Sequence, residues 1–334
     1  MRRTLAVILS LSSLLAISLT ALSPARAQTY PNRNITIVVP FPAGGLTDIP
    51  VRLLAQIMQD KLKVNVVVEN KPGGSGVIGA SYVLRSDPDG YTLLANAVAD
   101  TQNLFYMKIP YNAAKDFKLI AKIVDGPPLV MLVNRNSPFK TVADVIAEAK
   151  AHPEKVSFGT SGYATSPFIA LNEMNILAGV KIEAVPFHST GDATAALISG
   201  AIQGMFTAAS TGRSMVDGGQ VRALAVAGPT RLTMWPDVPT MQESGFADFN
   251  YNGFVGLTAP AKVSPEVVAV LNKAVNDAIH SELFETRMAK FSMTVPDTAK
   301  NKPEDYQAFF EALTARQGTL AKSIRAMAAR PAAK

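Results

Sequence analysis

The chain has 334 residues, 48% hydrophobic and 17% charged, with a net charge of +6. This excludes an intrinsically disordered chain and is long enough for two domains. With no cysteine and only three histidines (His152, His188, His280), a disulfide scaffold, a thiolate zinc site, a cysteine nucleophile and a histidine-rich metal centre are all excluded.

The first segment reads as a signal peptide. Arg2 and Arg3 precede an apolar run from Leu5 to Leu22, and Ala25-Arg26-Ala27 places small residues where a signal peptidase cuts. Cleavage is expected near Ala27. Residues 1–27 hold three basic side chains and no acidic one, which leaves +3 on residues 28–334. That surplus is mild and contains no Lys/Arg run, so no nucleic-acid partner is expected. A lipid anchor needs a cysteine at the cleavage site, and no later stretch is apolar and long enough to span a bilayer. A freely soluble periplasmic protein is expected.

The elements then follow in order. Ile35–Pro40 is a β-branched run and reads as a buried strand. Residues 41–48 form a loop and 49–62 a helix with Leu53, Leu54, Ile57, Met58 and Leu62 on one face. Pro50 is tolerated in the first turn, which has no N–H bonds to lose. Val64–Glu69 is a strand, Gly73–Gly76 opens a helix, and Tyr91–Ala95 is a third strand. Strands at 129–133, 156–159, 181–185, 202–206 and 222–227 alternate with helices at 142–150 (capped by Thr141), 166–178 and 191–199. This rhythm predicts an α/β fold with parallel sheets covered by helices on both faces. Beyond residue 260 the chain is mostly helical. Ser264-Pro265-Glu266 and Pro303-Glu304-Asp305 both read as helix openings, and the tail from Met327 to Lys334 is expected to fray.

Two loops join a strand to a helix with glycines and hydroxyls. The first is Phe41-Pro-Ala-Gly-Gly-Leu-Thr-Asp48 and the second Gly159-Thr-Ser-Gly-Tyr-Ala-Thr-Ser166. Free N–H groups at a helix start attract anions without a cationic side chain, and ligands of open α/β sheets sit outside the carboxyl ends of the strands. Gly44, Gly45 and Thr47 are therefore candidates. Asp48 is read as a structural cap, since a carboxylate would repel an anion. In the second loop each hydroxyl alone is a plausible cap, but two such loops facing across a cleft would grip a small carboxylate.

The run Ile-Val-Val-Pro-Phe-Pro-Ala-Gly-Gly-Leu-Thr-Asp48 resembles the first ligand loop of the Bug family, the periplasmic solute receptors of tripartite tricarboxylate transporters. The similarity continues through Val-Val-Val-Glu-Asn-Lys-Pro-Gly73, Asp87-Pro-Asp-Gly-Tyr-Thr-Leu-Leu94, Lys140-Thr-Val-Ala-Asp144, Gly-Gln-Val-Arg-Ala-Leu-Ala-Val226 and Pro236-Asp-Val-Pro-Thr240. The resemblance implies a two-domain Venus-flytrap fold with mostly parallel sheets and a ligand cleft between the domains. Residues 28–126 and 252–334 would form domain 1 and residues 127–251 domain 2, with hinges near 125–130 and 248–254. It implies no enzymatic activity and no cofactor. The expected partners are a small organic carboxylate and one large and one small integral-membrane permease subunit, with the chain itself a monomer. The ligand contacts it implies are Phe41, Ala43, Gly44, Gly45, Thr47, Asn96, Val98, Ser161, Gly162, Thr165, Ser166, Phe187, His188 and Thr207.

Departures from the family pattern narrow the ligand. Asn96-Ala97-Val98-Ala99-Asp100 stands where relatives have a Ser/Thr-rich loop, and Pro186-Phe187-His188-Ser189 where they have Pro-Tyr-Lys-Gly. Thr207 replaces an aspartate suited to an amine, and Pro167 and Phe168 replace polar residues. A less polar pocket for an aromatic or apolar-bodied carboxylate is expected, in preference to citrate or an amino acid. His188 is either a ligand contact or an exposed loop residue, and Trp235 is read as a packing anchor.

Two other readings are open to the sequence. Gly74-Ser-Gly-Val-Ile-Gly79 matches a dinucleotide fingerprint, but the preceding strand ends four residues too early and no acid ends the next one. The same clamp would also serve a sensor that presents its ligand to a membrane signalling protein.

Overall fold

The computed structural model describes residues 30–153, 155–162 and 165–328. The expected signal peptide (1–27) and residues 329–334 of the tail lie outside the described residues. The chain divides into two units, Met1–Asn32 and Arg33–Lys334. Of the first, only Tyr30–Asn32 is described, with a cis Tyr30–Pro31 peptide. All that follows concerns the second.

In the first third, β1 (Ile35–Val39), β2 (Val66–Asn70) and β3 (Thr92–Ala97) pair in parallel in the order β2-β1-β3. Ile35, Ile37, Val38 and Val39 are all fully buried, which a strand achieves only when both sheet faces are covered. Helix α1 (Asp48–Leu62) covers one face with Val51, Leu54, Ala55 and Met58. Of the expected face, Leu53, Ile57 and Leu62 are only half-buried. Helix α2 (Val77–Leu84) follows a short 3-10 turn at Gly74–Gly76. Of the supposed fingerprint, Gly79 serves packing, since a Cβ there would stand 2.8 Å from the Pro40 side chain and 3.0 Å from the Lys71 carbonyl oxygen, whereas Gly74 and Gly76 supply positive φ (56° and 94°) to the turn. Helix α3 (Ala99–Tyr106) and the single turn α4 (Ala113–Asp116) complete this part.

Strand β4 (Phe117–Asn134) has 18 residues and carries the chain across. Its first half pairs antiparallel with β9 (Asn252–Pro260), and its second half pairs antiparallel with β7 (Gly204–Ala208) and β8 (Val221–Ala227). Beyond β7 lie β5 (Ser157–Thr160) and β6 (Glu183–Pro186), both parallel to their neighbours. The full order is β2-β1-β3-β9-β4-β7-β5-β6, with β8 attached to β4. The sheet is thus mixed. The expected parallel pairing holds for the outer strands, and every pairing made by β4 or β9 is antiparallel because these two strands run out to the second lobe and back.

The second lobe packs both faces of its sheet. Along β4, Leu129, Met131 and Val133 enter one core, while Val130 and Leu132 enter the other, as the two-residue strand period requires. The first core is covered by α5 (Val142–Ala151) and α6 (Ser166–Ala178), the second by α7 (Thr190–Ser199) and α8 (Ala209–Asp217). Thr141 caps α5 in a reciprocal capping box with Asp144, as its sequence predicts. Trp235 is buried in the second core, in keeping with an anchor.

After β9 come α9 (Pro265–Ile279), capped by Ser264, α10 (Glu282–Ala289) and α11 (Pro303–Ala328). Helix α11 has 26 residues, roughly 39 Å at 1.5 Å per residue. Tyr306 and Phe310 near its start pack in the first lobe's core, and Leu320 and Ile324 near its end pack in the second's. One helix therefore joins both lobes.

Candidate functional site

The two crossing strands meet glycine to glycine. A Cβ on Gly126 would lie 3.1 Å from the backbone of Gly253, and the β4–β9 register breaks between Asp125 and Pro128. Pro127 and Pro128 follow and offer no N–H to the ladder. Beside this crossing lies a cavity of about 270 Å3. That is just under the 300–1,000 Å3 typical of drug-sized ligands and suits a small acid.

The first lobe contributes Phe41, Leu46 and Thr47 from the loop after β1, and Ala97, Val98, Ala99 and Gln102 from the turn into α3. The second lobe contributes Ser166 at the start of α6 and Ala208 at the end of β7. The crossing supplies Leu129 and residues 250–255, and the C-terminal region supplies Met293, Leu313 and Gln317. Every one of these described lining residues is uncharged. The walls are largely apolar, and the polar groups are the hydroxyls of Thr47 and Ser166 and the amides of Gln102, Asn250, Asn252 and Gln317. Tyr251 turns its hydroxyl away and donates to Glu173 at 2.5 Å. Gln102 Nε2 donates to Ser166 Oγ at 3.3 Å, the one hydrogen bond among the described residues that links the cavity's two lobes directly through lining side chains.

Four of the fourteen expected contacts line this cavity: Phe41, Thr47, Val98 and Ser166. The structure does not bring the others to it, for identifiable reasons. Gly44 gives its N–H to Asp48 Oδ2 at 2.8 Å, and Gly45 turns its N–H to the Pro42 carbonyl at 3.4 Å. Ala43 and Gly44 instead open on a separate cavity of about 440 Å3 beside Arg52 and Arg287. Asn96 is buried and accepts a hydrogen bond from Tyr306 at 2.8 Å. Thr165 donates its hydroxyl to the Gly162 carbonyl at 2.9 Å, and Ser161 and Gly162 sit half-buried outside the lining. Phe187 packs over Gly159, and His188 is exposed. Thr207 faces α8, its methyl 3.7 Å from the Cβ position of Gly212, so its neighbour Ala208 reaches the cavity instead. The Asn96–Asp100 stretch, expected as a loop, is the end of β3 and the start of α3.

Asp48 is structural, as its sequence position suggests. It is buried and accepts from Gly44, from Arg52 Nε at 2.7 Å and from Asn70 Nδ2 at 2.8 Å. Burial pushes its carboxyl up, but these bonds outweigh burial and hold it below the usual range. Asp100 behaves differently. It is buried and takes only the Ala97 N–H, at 2.9 Å, so burial pushes its pKa up to about 6. Both acids occupy the first turn of a helix that faces the cavity. Helix α6 has no acid in its first turn, and Thr165 makes no side-chain cap there. Its positive end is thus the least neutralised of the three. His152 and His280 lie at helix ends, each beside a glutamate, Glu148 and Glu285.

Sequence reasoning missed Gln102, Asn252 and Gln317. Gln102 lies in a run, Asp100-Thr-Gln-Asn103, that is polar yet buried throughout, and Gln317 lies on a helix 270 residues from the first loop.

Residues 51–325 match the tripartite tricarboxylate transporter family receptor, TctC. The chain is 32% identical over 285 residues to Protein BugT of Bordetella pertussis, covering 83% of this chain and 87% of that protein. Among solved structures, MatC of Rhodopseudomonas palustris with bound malate superposes with a TM-score of 0.74 at 28% identity, covering 87% of this chain and all of that one. A second R. palustris protein, solved with adipate, gives 0.75 at 27% identity, covering 88% and 98%. Among the described residues no helix is long and apolar enough to cross a membrane.

Proposed function

The chain belongs to the tripartite tricarboxylate transporter receptor family of solute-binding proteins, and on that premise we propose that it captures one small carboxylate with an apolar body and hands it to a membrane permease. The observation that carries this reading is the cavity at the lobe crossing, with apolar walls and no ionised side chain among its described lining residues. A multiply charged acid such as citrate would lose its hydration there and gain no cation. A mono- or dicarboxylate with an aromatic or aliphatic middle would bury that middle against Phe41, Val98, Leu129 and Phe254. Its charge would meet the amide end of α6 and the hydroxyls of Thr47 and Ser166. The malate and adipate held by similar structures are small dicarboxylates, which fits this class.

The lobes divide at residues 126/127 and 251/252 in this reading, and they close about the Gly126–Gly253 contact. Ligand favours the closed form through its higher affinity for it. The receptor works in the periplasm as a monomer after cleavage near Ala27, and its partners are the large and small permease subunits.

The test is a thermal-shift and calorimetric screen of residues 28–334 with benzoates, terephthalate, adipate, malate and citrate. A ligand at one hundred times its Kd stabilises by about 2.7 kcal/mol, and the expected response is a rise in Tm of about 4 °C. Tight citrate binding without any response to the apolar-bodied acids would refute the reading.

A further inference from the structure

The first turns of α3 carry four polar residues in a row, Asp100-Thr-Gln-Asn103, and all four are buried. Three of them use their polar groups inside the first lobe. Asp100 accepts the Ala97 N–H at 2.9 Å, the Thr101 hydroxyl donates to the Val98 carbonyl at 2.7 Å, and Asn103 donates to the Ser75 carbonyl at 3.0 Å. Gln102 differs. Its Nε2 reaches out of the lobe and donates to Ser166 Oγ of the second lobe at 3.3 Å, and both residues line the cavity. An apolar side chain at 102 would suit the cavity walls with no polar group to desolvate, so the amide calls for a reason.

Ser166 supplies one. It is half-buried and is the first residue of α6. Pro167 behind it has no N–H, so this helix start offers an anion one amide fewer than usual and the serine side chain counts for more. A hydroxyl has one proton and two lone pairs. Ser166 Oγ receives the Gln102 N–H on a lone pair and donates to no acceptor among the described residues. A carboxylate can only accept. A ligand oxygen beside Ser166 therefore completes a chain, Nε2–H to Oγ and O–H to carboxylate, in which each bond polarises the next. The ligand also fixes the Gln102 amide in this orientation, because the reversed amide would take the serine proton for itself.

We infer that Gln102 is a positioning residue: by donating to Ser166 as the lobes close, it turns the serine hydroxyl proton onto the ligand carboxylate. Closure then completes the anion site, which gives the closed form its higher affinity. This rests on the carboxylate-receptor reading above and adds to it the residue that couples closure to binding.

The test is a double-mutant cycle read by isothermal calorimetry at pH 7.5 on residues 28–334. Adipate, malate, terephthalate and benzoate are the probes, and the ligand-free Tm of each variant is measured alongside. For the probe that binds tightest, Ser166→Ala should cost about tenfold in affinity and Gln102→Met about fivefold or more, the scale of a hydrogen bond to a charged group. The two side chains act as one unit, so the double variant should lose no more than about threefold beyond the worse single one. Gln102→Glu keeps the shape but can only accept. It should take the serine proton and bind more weakly than Ser166→Ala, and it stands in for Gln102→Met should that variant fail to fold. Losses that multiply in the double variant, or wild-type affinity in Gln102→Met or Gln102→Glu, would overturn the inference while carboxylate binding stands. A lowered Tm with unchanged affinity would overturn it too, as the mark of a purely structural tie. A wild-type protein that binds none of the four acids would overturn both the inference and the reading beneath it.

Discussion

Replacing Asp100 by asparagine should stabilise the protein at neutral pH, and the gain should vanish in acid. Asp100 is 5% exposed and accepts one hydrogen bond, from the Ala97 N–H. Burial raises its pKa from 3.8 to about 6. The folded state therefore holds a proton that the unfolded state has released, and the stability this group contributes is fully present below about pH 4 and lost as pH rises through about 6. A gap of about two units corresponds to roughly 3 kcal/mol at 1.36 kcal/mol per unit. Asparagine is neutral at every pH and keeps an oxygen for Ala97. It forfeits the attraction of a charge to the start of α3, about 0.3–1 kcal/mol. The net gain at pH 7.5 is then about 2 kcal/mol, or roughly 3 °C in Tm for a chain of about 300 residues. Calorimetric Tm values of both proteins, without ligand and at fixed ionic strength from pH 4 to 7.5, measure it. Asp48, Asp144, Glu243 and Glu266 have lowered pKa values, so their contributions fall away as pH drops, but they are common to both proteins and cancel in the difference. A difference that does not vary between pH 4 and 7.5, or an asparagine variant less stable at pH 7.5, would show that Asp100 keeps its ordinary ionisation.

Two further outcomes follow from the crossing. Glu173 on α6 receives Arg316 of α11 at 2.9 and 2.8 Å as well as the Tyr251 hydroxyl, so Glu173→Ala strands a phenol and a guanidinium and should lose about 2–4 kcal/mol in urea denaturation; a loss under about 0.5 kcal/mol, the scale of an ordinary surface change, would mean that water replaces the network. Gly126→Ala forces β4 and β9 apart where a Cβ would meet Gly253 at 3.1 Å. It should weaken ligand binding tenfold or more and shrink the ligand-induced change in small-angle scattering, and an unaltered change would remove the hinge from this point.

Much of the architecture was legible because its signals are local. The Ser264-Pro265 and Thr141 openings and the β-branched run of β1 declare themselves within a few residues. The first half of β4 and the whole of β9 did not, because Gly126-Pro-Pro128 and Asn252-Gly253 are poor strand formers locally, and these strands exist through pairing with each other more than a hundred residues apart. Only the first two residues of α3 fall in the Asn96–Asp100 stretch that the sequence presents as a loop, and the helix lacks an amphipathic signal because its polar residues sit on its buried side: Asp100 accepts the Ala97 N–H and Asn103 donates to the Ser75 carbonyl at 3.0 Å. The site divided the same way. Glycine-rich sequence marks both loops, but Asp48, four residues beyond Gly44, claims its amide. Gln317 carried no sequence signal, since one glutamine in an amphipathic helix is unremarkable until its neighbours are known.

That β4, β9 and α11 are shared between the lobes also orders how a nascent chain can assemble. Emerging amino end first, residues 117–227 hold every strand of the second lobe's sheet, but its core also takes Met241, Phe246, Phe249, Leu320 and Ile324. The strands made earliest must wait: β3 gains its second neighbour only when β9 arrives, and Phe310 and Tyr306 seal that core later still. Neither lobe is therefore sealed by its own stretch of chain, and truncation within α11 would expose both cores at once.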